Sequence, residues 1–154
     1  MKYFYFLLSI VVFASCGPKV IYEHHIEVPQ KWAYKDSLFY EFEVSDTLKP
    51  YDISLDITHE ATFGYENLYI YTVTVFPEGK RSSNPVSLQL ADTIGDWKGK
   101  CDDQECQTHI NIAVASYFKT MGTYKIIICQ HSRQDLLEGI ETIGVKISES
   151  ETKQ

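Results

Sequence analysis

Cysteines, histidines and a scatter of carboxylates are the residues of this 154-residue chain with chemistry to offer. Cys16 follows Ala14 and Ser15 at the end of an uncharged apolar run, a setting that suits modification of its sulfur more than packing. Cys101 and Cys106 are separated by Asp102, Asp103, Gln104 and Glu105. So close a pair cannot staple distant elements. It closes a small loop as a disulfide, stays as free or mixed thiols, or donates to a metal, and a structural zinc site would want a second CxxC-like half. With Cys16 set aside, Cys101, Cys106 and Cys129 form an odd count, so the pattern leaves all three states open. Cys129 follows Ile126, Ile127 and Ile128, and is expected to behave as a small buried hydrophobe rather than an activated thiolate.

The histidines are scattered. His24, His25, His59, His109 and His131 include no HExxH or similarly spaced ligand set. His59 beside Glu60 reads as an ordinary surface pair at a strand end. Ser54 and Ser116 lack the G-x-S-x-G context of a nucleophile elbow. Glu41 and Glu43 share a strand face, as acids do on any solvated face. No glycine-rich phosphate loop follows a strand. These patterns point to no catalytic residue, no metal and no cofactor, and therefore to a protein that is not an enzyme.

The N-terminus is more informative. Lys2 precedes an uncharged run over residues 3–13, and small residues stand just before Cys16. A basic start, an apolar stretch of about 7–15 residues and a small-residue cut describe a secretory signal peptide. A spanning helix needs roughly 20 apolar residues, and this run is shorter. Ala14-Ser15-Cys16 resembles the lipobox of bacterial lipoproteins, with Phe13 where Leu, Val or Ile is usual. The expectation is a signal peptide over residues 1–15, cut before a lipidated Cys16 bearing acyl chains such as palmitate. Several acyl chains hold durably, because each buried CH₂ contributes ~0.8 kcal/mol and one chain alone holds only weakly. Gly17 is not the Asp of inner-membrane retention, and Pro18-Lys19-Val20 lacks the acidic run of a surface-export signal. The expected address is the cell envelope, at the outer membrane and facing the periplasm.

Charge limits the partners. The formal net charge is −7, and loss of residues 1–15, which hold Lys2 and no acid, makes it −8. Nothing here attracts nucleic acid, since the longest basic cluster is Lys80-Arg81. Anionic head groups would also repel the chain, so the lipid and not a basic patch must attach it to the membrane. Aromatics make up 14% of the residues, with eleven tyrosines, which suits pleated surfaces.

Period-two alternation is the recurring pattern. Tyr51, Ile53, Leu55 and Ile57 alternate with Asp52, Ser54, Asp56 and Thr58, and Leu38, Tyr40, Phe42 and Val44 alternate with Phe39, Glu41 and Glu43. The stretch 67–76 is apolar or aromatic on both faces, as in a central strand or one with an outer aromatic row. Further strands are expected over 86–90 after Pro85, over 110–116, 123–131 and 140–148, with an edge strand over 20–28. Turn residues separate them at 46–50, 62–64, 77–79, 92–95 and 121–122. Only residues 133–138 read as helical, with Gly139 to stop them. The expected fold is all-β: an antiparallel β-sandwich, immunoglobulin-like or jelly-roll-like, of about 7–9 strands with at most one short helical turn. Residues 16–30 would be the lipid tether and edge segment, 31–149 a single sandwich domain, and 150–154 a polar tail.

An ordered string of landmarks runs through the C-terminal third. Phe118, Gly122 and Tyr124 are followed by Gln130, Arg133 and Leu136, then by Gly139, Ile140 and Gly144. This resembles the gliding-motility lipoprotein GldH family of Bacteroidota, whose pattern runs F-x₃-G-x-Y, Q-x₂-R-x₂-L, then G-I-x₃-G. Upstream, Trp32 to Phe42 and Tyr51-Asp52-Ile53 resemble the family's first two strand segments. Tyr65, Asn67, Leu68 and Tyr69 resemble its Y-x-N-L-[YF] segment. Asp92, Thr93, Gly95, Trp97 and Gly99 resemble its D-T-x-G-x-W/P-x-G loop. The family continues with another glycine and an acidic turn where this chain has Cys101 and Cys106, so that loop is a local variation. The resemblance implies a lipid-anchored accessory part of a gliding or type IX secretion assembly, with envelope proteins as partners. Physically, the glycines also serve as turn or bulge residues, Tyr124 as a core strand residue, and Arg133 as a pin beside Asp135 and Glu138.

Exposed aromatics are the remaining lead. Tyr65, Tyr69, Tyr71 and Phe39 cannot all enter the core if their strands alternate. They form cross-strand ladders on an outer face, or they mark a docking surface, where Tyr and Trp bury large area at low entropic cost. Tyr65, Asn67, Tyr69, Tyr71, Trp97 and Arg133 are the candidate partner-binding residues. The alternative role is a glycan- or ligand-binding outer-membrane lipoprotein of a nutrient uptake system.

Overall fold

The computed structural model describes residues 17–151. Cys16 and the expected signal peptide lie outside the described residues. The elements are β1 (Val20–Glu27), β2 (Trp32–Ala33), β3 (Leu38–Val44), β4 (Tyr51–Glu60), β5 (Asn67–Val75), β6 (Arg81–Gln89), β7 (Lys100–Cys101), β8 (Glu105–Ser116), β9 (Gly122–Gln130), β10 (Leu136–Leu137) and β11 (Ile140–Glu149). All pairings are antiparallel. A five-stranded sheet has the order β1-β11-β4-β8-β7, a four-stranded sheet the order β3-β9-β5-β6, and β10 pairs with β2. The fold is the expected all-β sandwich. The eleven strands of the described residues exceed the expected number because three of them are two-residue pairings.

Alternation decides which residues enter the core. In β3, Leu38, Tyr40, Phe42 and Val44 are buried while Phe39, Glu41 and Glu43 are exposed. In β9, Tyr124, Ile126, Ile128 and Gln130 point inward. Facing them are Leu55 and Ile57 of β4 and Ile143, Val145 and Ile147 of β11. Tyr40 joins the two sheets directly, its hydroxyl donating to the Ile143 carbonyl at 2.6 Å. Burial raises the Tyr40 hydroxyl pKa, so it remains a donor throughout the physiological range. One end of the core is closed by rings, with Phe118 and Tyr124 at 4.9 Å and Tyr51 and Phe118 at 5.3 Å between centroids.

Some local expectations are corrected. Residues 133–138 are not helical: the segment turns, and Leu136–Leu137 forms β10 against Trp32–Ala33. Gln130 supplies the reason. Its buried side chain accepts from the Ser132 N–H at 2.9 Å and donates to the Gln134 carbonyl at 3.0 Å, tying the backbone into a turn where a helix would need those groups. Ile53 is only half-buried, because the β4–β8 register shifts around Ile53 and Ser54. The strand after the third turn starts at Arg81, not after Pro85. Proline is tolerated inside β6 because that strand is an edge. Cys129 is not buried: the phase that takes Ile128 and Gln130 inward turns it outward, beside Ser37 Oγ at 3.1 Å. His59 is not a surface residue but fully buried.

Gly144 is neither a turn nor a bulge glycine. It lies within β11, where a Cβ would run into the ring of His25 on the neighbouring strand.

Candidate functional site

The outer face of the four-stranded sheet carries a ladder with a charged rung, where Glu41 pairs with Lys125 at 2.7 Å, and next to it a run of uncharged rungs. Phe39, Ile127 and Val73 are register partners across β3, β9 and β5, and Cys129 pairs with Tyr71 one rung along. Phe39 is 64% exposed and Tyr69 48% exposed, on a face that alternation leaves to solvent. Toward one end of the sandwich the ladder runs into a groove of about 690 Å³. Tyr65, Asn67 and Tyr69 form one wall, and His131, Arg133 and Gln134 form the other. Phe63, Leu68 and Leu137 make the floor.

The walls are held by hydrogen bonds to backbone groups. The His131 N–H donates to the Tyr69 carbonyl at 2.8 Å, extending the β5–β9 pairing into the groove. Tyr34 donates to the Ser132 carbonyl at 2.6 Å, and Gln130 fixes the turn from below. Arg133 forms no ion pair among the described residues, so the turn is pinned by Gln130 and not by Arg133. The guanidinium is left as the one permanently charged group on the groove, in a chain whose net charge is −7.

Behind the groove stands an aromatic prop. Trp97 meets His59 at 4.6 Å, His59 meets Phe63 at 5.6 Å, and Phe63 meets Tyr65 edge-to-face at 5.5 Å. The Trp97 indole N–H donates to the Ala61 carbonyl at 3.1 Å. Its loop is shaped by Asp92, whose carboxylate accepts the N–H groups of Ile94 and Asp96 at 2.9 and 3.0 Å. Gly99 ends that loop at φ 108°, where a Cβ would strike the Gln107 carbonyl. His59 itself donates through Nδ1 to the Glu60 carbonyl at 2.9 Å, and its Nε2 has no partner among the described residues. Burial lowers its pKa, so the ring sits there neutral. Its register partner is Cys106, which is fully buried and joined to Cys101 in a disulfide.

Tyr65, Asn67, Tyr69 and Arg133 therefore lie together on one groove. Tyr71 is one position further along the ladder, against His131 at 5.7 Å, with its hydroxyl on Ser83. Trp97 does not line the groove; it supports it through His59 and Phe63. Phe63, His131, Gln134 and Leu137 escaped the sequence reading. The signal for three of them was available, since residues 131–137 hold the turn that a helical reading concealed. Among the described residues, the side chains able to share a cation lie elsewhere, where Glu23, His25 and Asp56 meet on the five-stranded sheet. The groove's geometry offers stacking, apolar contact and one cation, which suits binding.

The model of the GldH lipoprotein family matches residues 20–147, from the first residue of β1 to Ile147 of β11. The chain is also similar to a protein of Christiangramia forsetii named a gliding motility lipoprotein GldH homolog. The two are 29% identical over 156 aligned residues, covering 96% of this chain and 95% of that protein. The match takes in both sheets, the groove and the Asp92–Gly99 loop together. The chain belongs to the GldH lipoprotein family.

Proposed function

We propose that this chain is a lipid-anchored, non-catalytic accessory protein of the cell envelope, supporting a gliding machinery and its associated type IX secretion apparatus. The single observation that carries the docking role is the groove, where exposed aromatics and an unpaired arginine converge on a rigid sheet end. Such anchors dominate protein interfaces, where a few buried Tyr, Trp and Arg side chains supply most of the binding energy. Family membership and the name of the similar Christiangramia protein support the gliding assignment.

The topology supports a definite orientation. Tyr22 meets Phe42 and His24 meets Tyr40 where the edge strands β1 and β3 of the two sheets approach, so Val20 lies at the Val44 end of the sandwich. The groove lies at the other end, where Ile70 pairs with Gln130 and Leu38 with Ile128. The eight residues of β1 separate the two by roughly 27 Å at the usual strand rise. With residues 1–15 removed and Cys16 acylated, the tether enters at the near end and the groove faces away from the bilayer. An outer-membrane anchor with a periplasm-facing domain fits this geometry. Tethering then raises the groove's effective concentration for neighbouring subunits.

The rings favour a protein partner over a sugar. Phe63 and Tyr65 cross at 68° and Tyr71 and His131 at 52°, so they form no flat platform for a pyranose face. Crosslinking and pull-down from intact membranes tests the proposal. Wild-type chain should capture envelope proteins that Tyr69→Ala with Arg133→Ala releases, and Cys16→Ser should lose them for want of an anchor. Capture of the same partners by Cys16→Ser would end the tethering idea.

A further inference from the structure

The outer face of the five-stranded sheet carries a second, unrelated constellation. His25, Gly144, Asp56 and His109 are consecutive register partners across β1, β11, β4 and β8. They form one straight rung. Gly144 leaves a gap in it, and the His25 ring leans through that gap, lying where a Cβ would otherwise stand. His25 Nε2 thereby comes within 3.9 Å of Asp56 Oδ2. From the other side, His109 Nδ1–H donates to Asp56 Oδ1 at 2.7 Å. Glu23, two residues before His25 on the same face of β1, completes the group. One ligand atom each from Glu23, His25 and Asp56 all lie within 4.8 Å of one another. They sit in a shallow concavity of about 970 Å³.

We propose that this rung is a binding site for a divalent first-row transition ion of the zinc class. Glu23, His25 and Asp56 are the protein ligands, and water completes the shell. Ligand atoms around a tetrahedral zinc stand ~3.4 Å apart, from bond lengths near 2.1 Å, so the group needs only a small contraction to close on an ion. An imidazole with two carboxylates suits zinc-class ions. Calcium wants six to eight oxygens, and only two carboxylates converge here. His109 is the orienting partner: it holds one Asp56 oxygen and leaves the other turned toward His25, as outer-shell hydrogen bonds do at metal sites. Lys146 is the internal competitor, its Nζ 3.3 Å from Glu23 Oε2. An ion at the site must take Glu23 from it. Lys98 and Lys100 on the rim oppose the ion in the same sense.

The test is calorimetric titration of zinc sulfate into the full-length chain in detergent, with calcium chloride as a parallel arm. One zinc per chain is expected, and no calcium. His25→Ala and Asp56→Asn should weaken zinc at least about tenfold, the scale on which lost ligands and outer-shell partners act. Lys146→Met should strengthen it. The most discriminating variant is Gly144→Ala, which removes no ligand. Its methyl displaces the His25 ring and should weaken zinc as much as His25→Ala does. Thermal melts of each variant confirm that the fold persists. His24→Ala, His131→Ala and Cys129→Ser should leave zinc affinity unchanged. Absence of one-to-one zinc binding, binding indifferent to His25→Ala and Gly144→Ala, loss through any of the three controls, or calcium in place of zinc would each overturn the assignment.

Discussion

Across the four-stranded sheet, the rung Phe39–Ile127–Val73 points to solvent without a charge. Across the five-stranded sheet, the rung His25–Gly144–Asp56–His109 has a titratable side chain at three of four positions. Both rungs obey the same alternation and cover the same core, yet one is apolar and the other titratable, and the charges of the first sheet begin only at the neighbouring Glu41–Lys125 rung. The core residues set which positions face outward; nothing in the core dictates what stands there. The contrast shows that the chemistry of each outer face is independent of the packing that supports it, so each can be disabled with the fold intact.

Substitutions that cross this boundary should have the largest effects. Trp97→Ala removes the prop behind His59, through which the groove floor is supported, and should lower stability by about 3 kcal/mol in urea unfolding, with partner capture falling too. A loss below about 1 kcal/mol would mean that the groove stands without Trp97. On the other sheet, Cys101→Ser with Cys106→Ser opens a short loop at the β7–β8 edge. The expected loss is about 2 kcal/mol from loop-closure entropy, read from melts in oxidising buffer, with partner capture unaltered. Next comes Tyr69→Ala, expected to weaken capture by about 1–2 kcal/mol while stability moves by less than ~0.5 kcal/mol. His25→Ala should leave capture as it was. Equal losses from both would erase the distinction between the faces.

The smallest effect is a pH dependence centred on His59. Burial holds its folded-state pKa below the ordinary value near 6.5, so the unfolded chain binds more protons than the folded one below that pH. Its contribution is therefore intact above pH ~6.5 and is lost as pH falls through the folded-state value. His59→Phe should flatten the melting temperature between pH 7 and pH 5. It also removes the unpartnered Nε2, while the Glu60 carbonyl keeps its bond from the Phe63 N–H. A wild-type curve already flat across that range would show that the ring takes up its proton without strain.

The long strands were legible because period two is a local property: Leu38 to Val44 announces its buried face in seven letters. The groove was legible in part. Tyr65 and Tyr69 stand out as aromatics that alternation cannot bury together with their neighbours. Arg133 was found through the family pattern. The helical reading of 133–138 failed because side chains at 133–138 suggest one conformation while Gln130, three positions upstream, imposes another. His59 was misread because its burial depends on Trp97 and Phe63, which arrive from other loops. The His25–Asp56–His109 rung was invisible for the same kind of reason. Its members come from three strands, and the residue that lets them meet is a glycine with no chemistry of its own.

The placement of β1 has a mechanical consequence. Seven register positions join it to β11, and its N-terminal end is the one next to the expected anchor. A pull between the expected anchor and a partner seated, as proposed, in the distal groove would run along that strand. It loads the interstrand bonds in shear, all at once, instead of peeling them one by one. A domain that opens only when many bonds fail together can pass on force without unravelling, which is what an envelope link under traction needs.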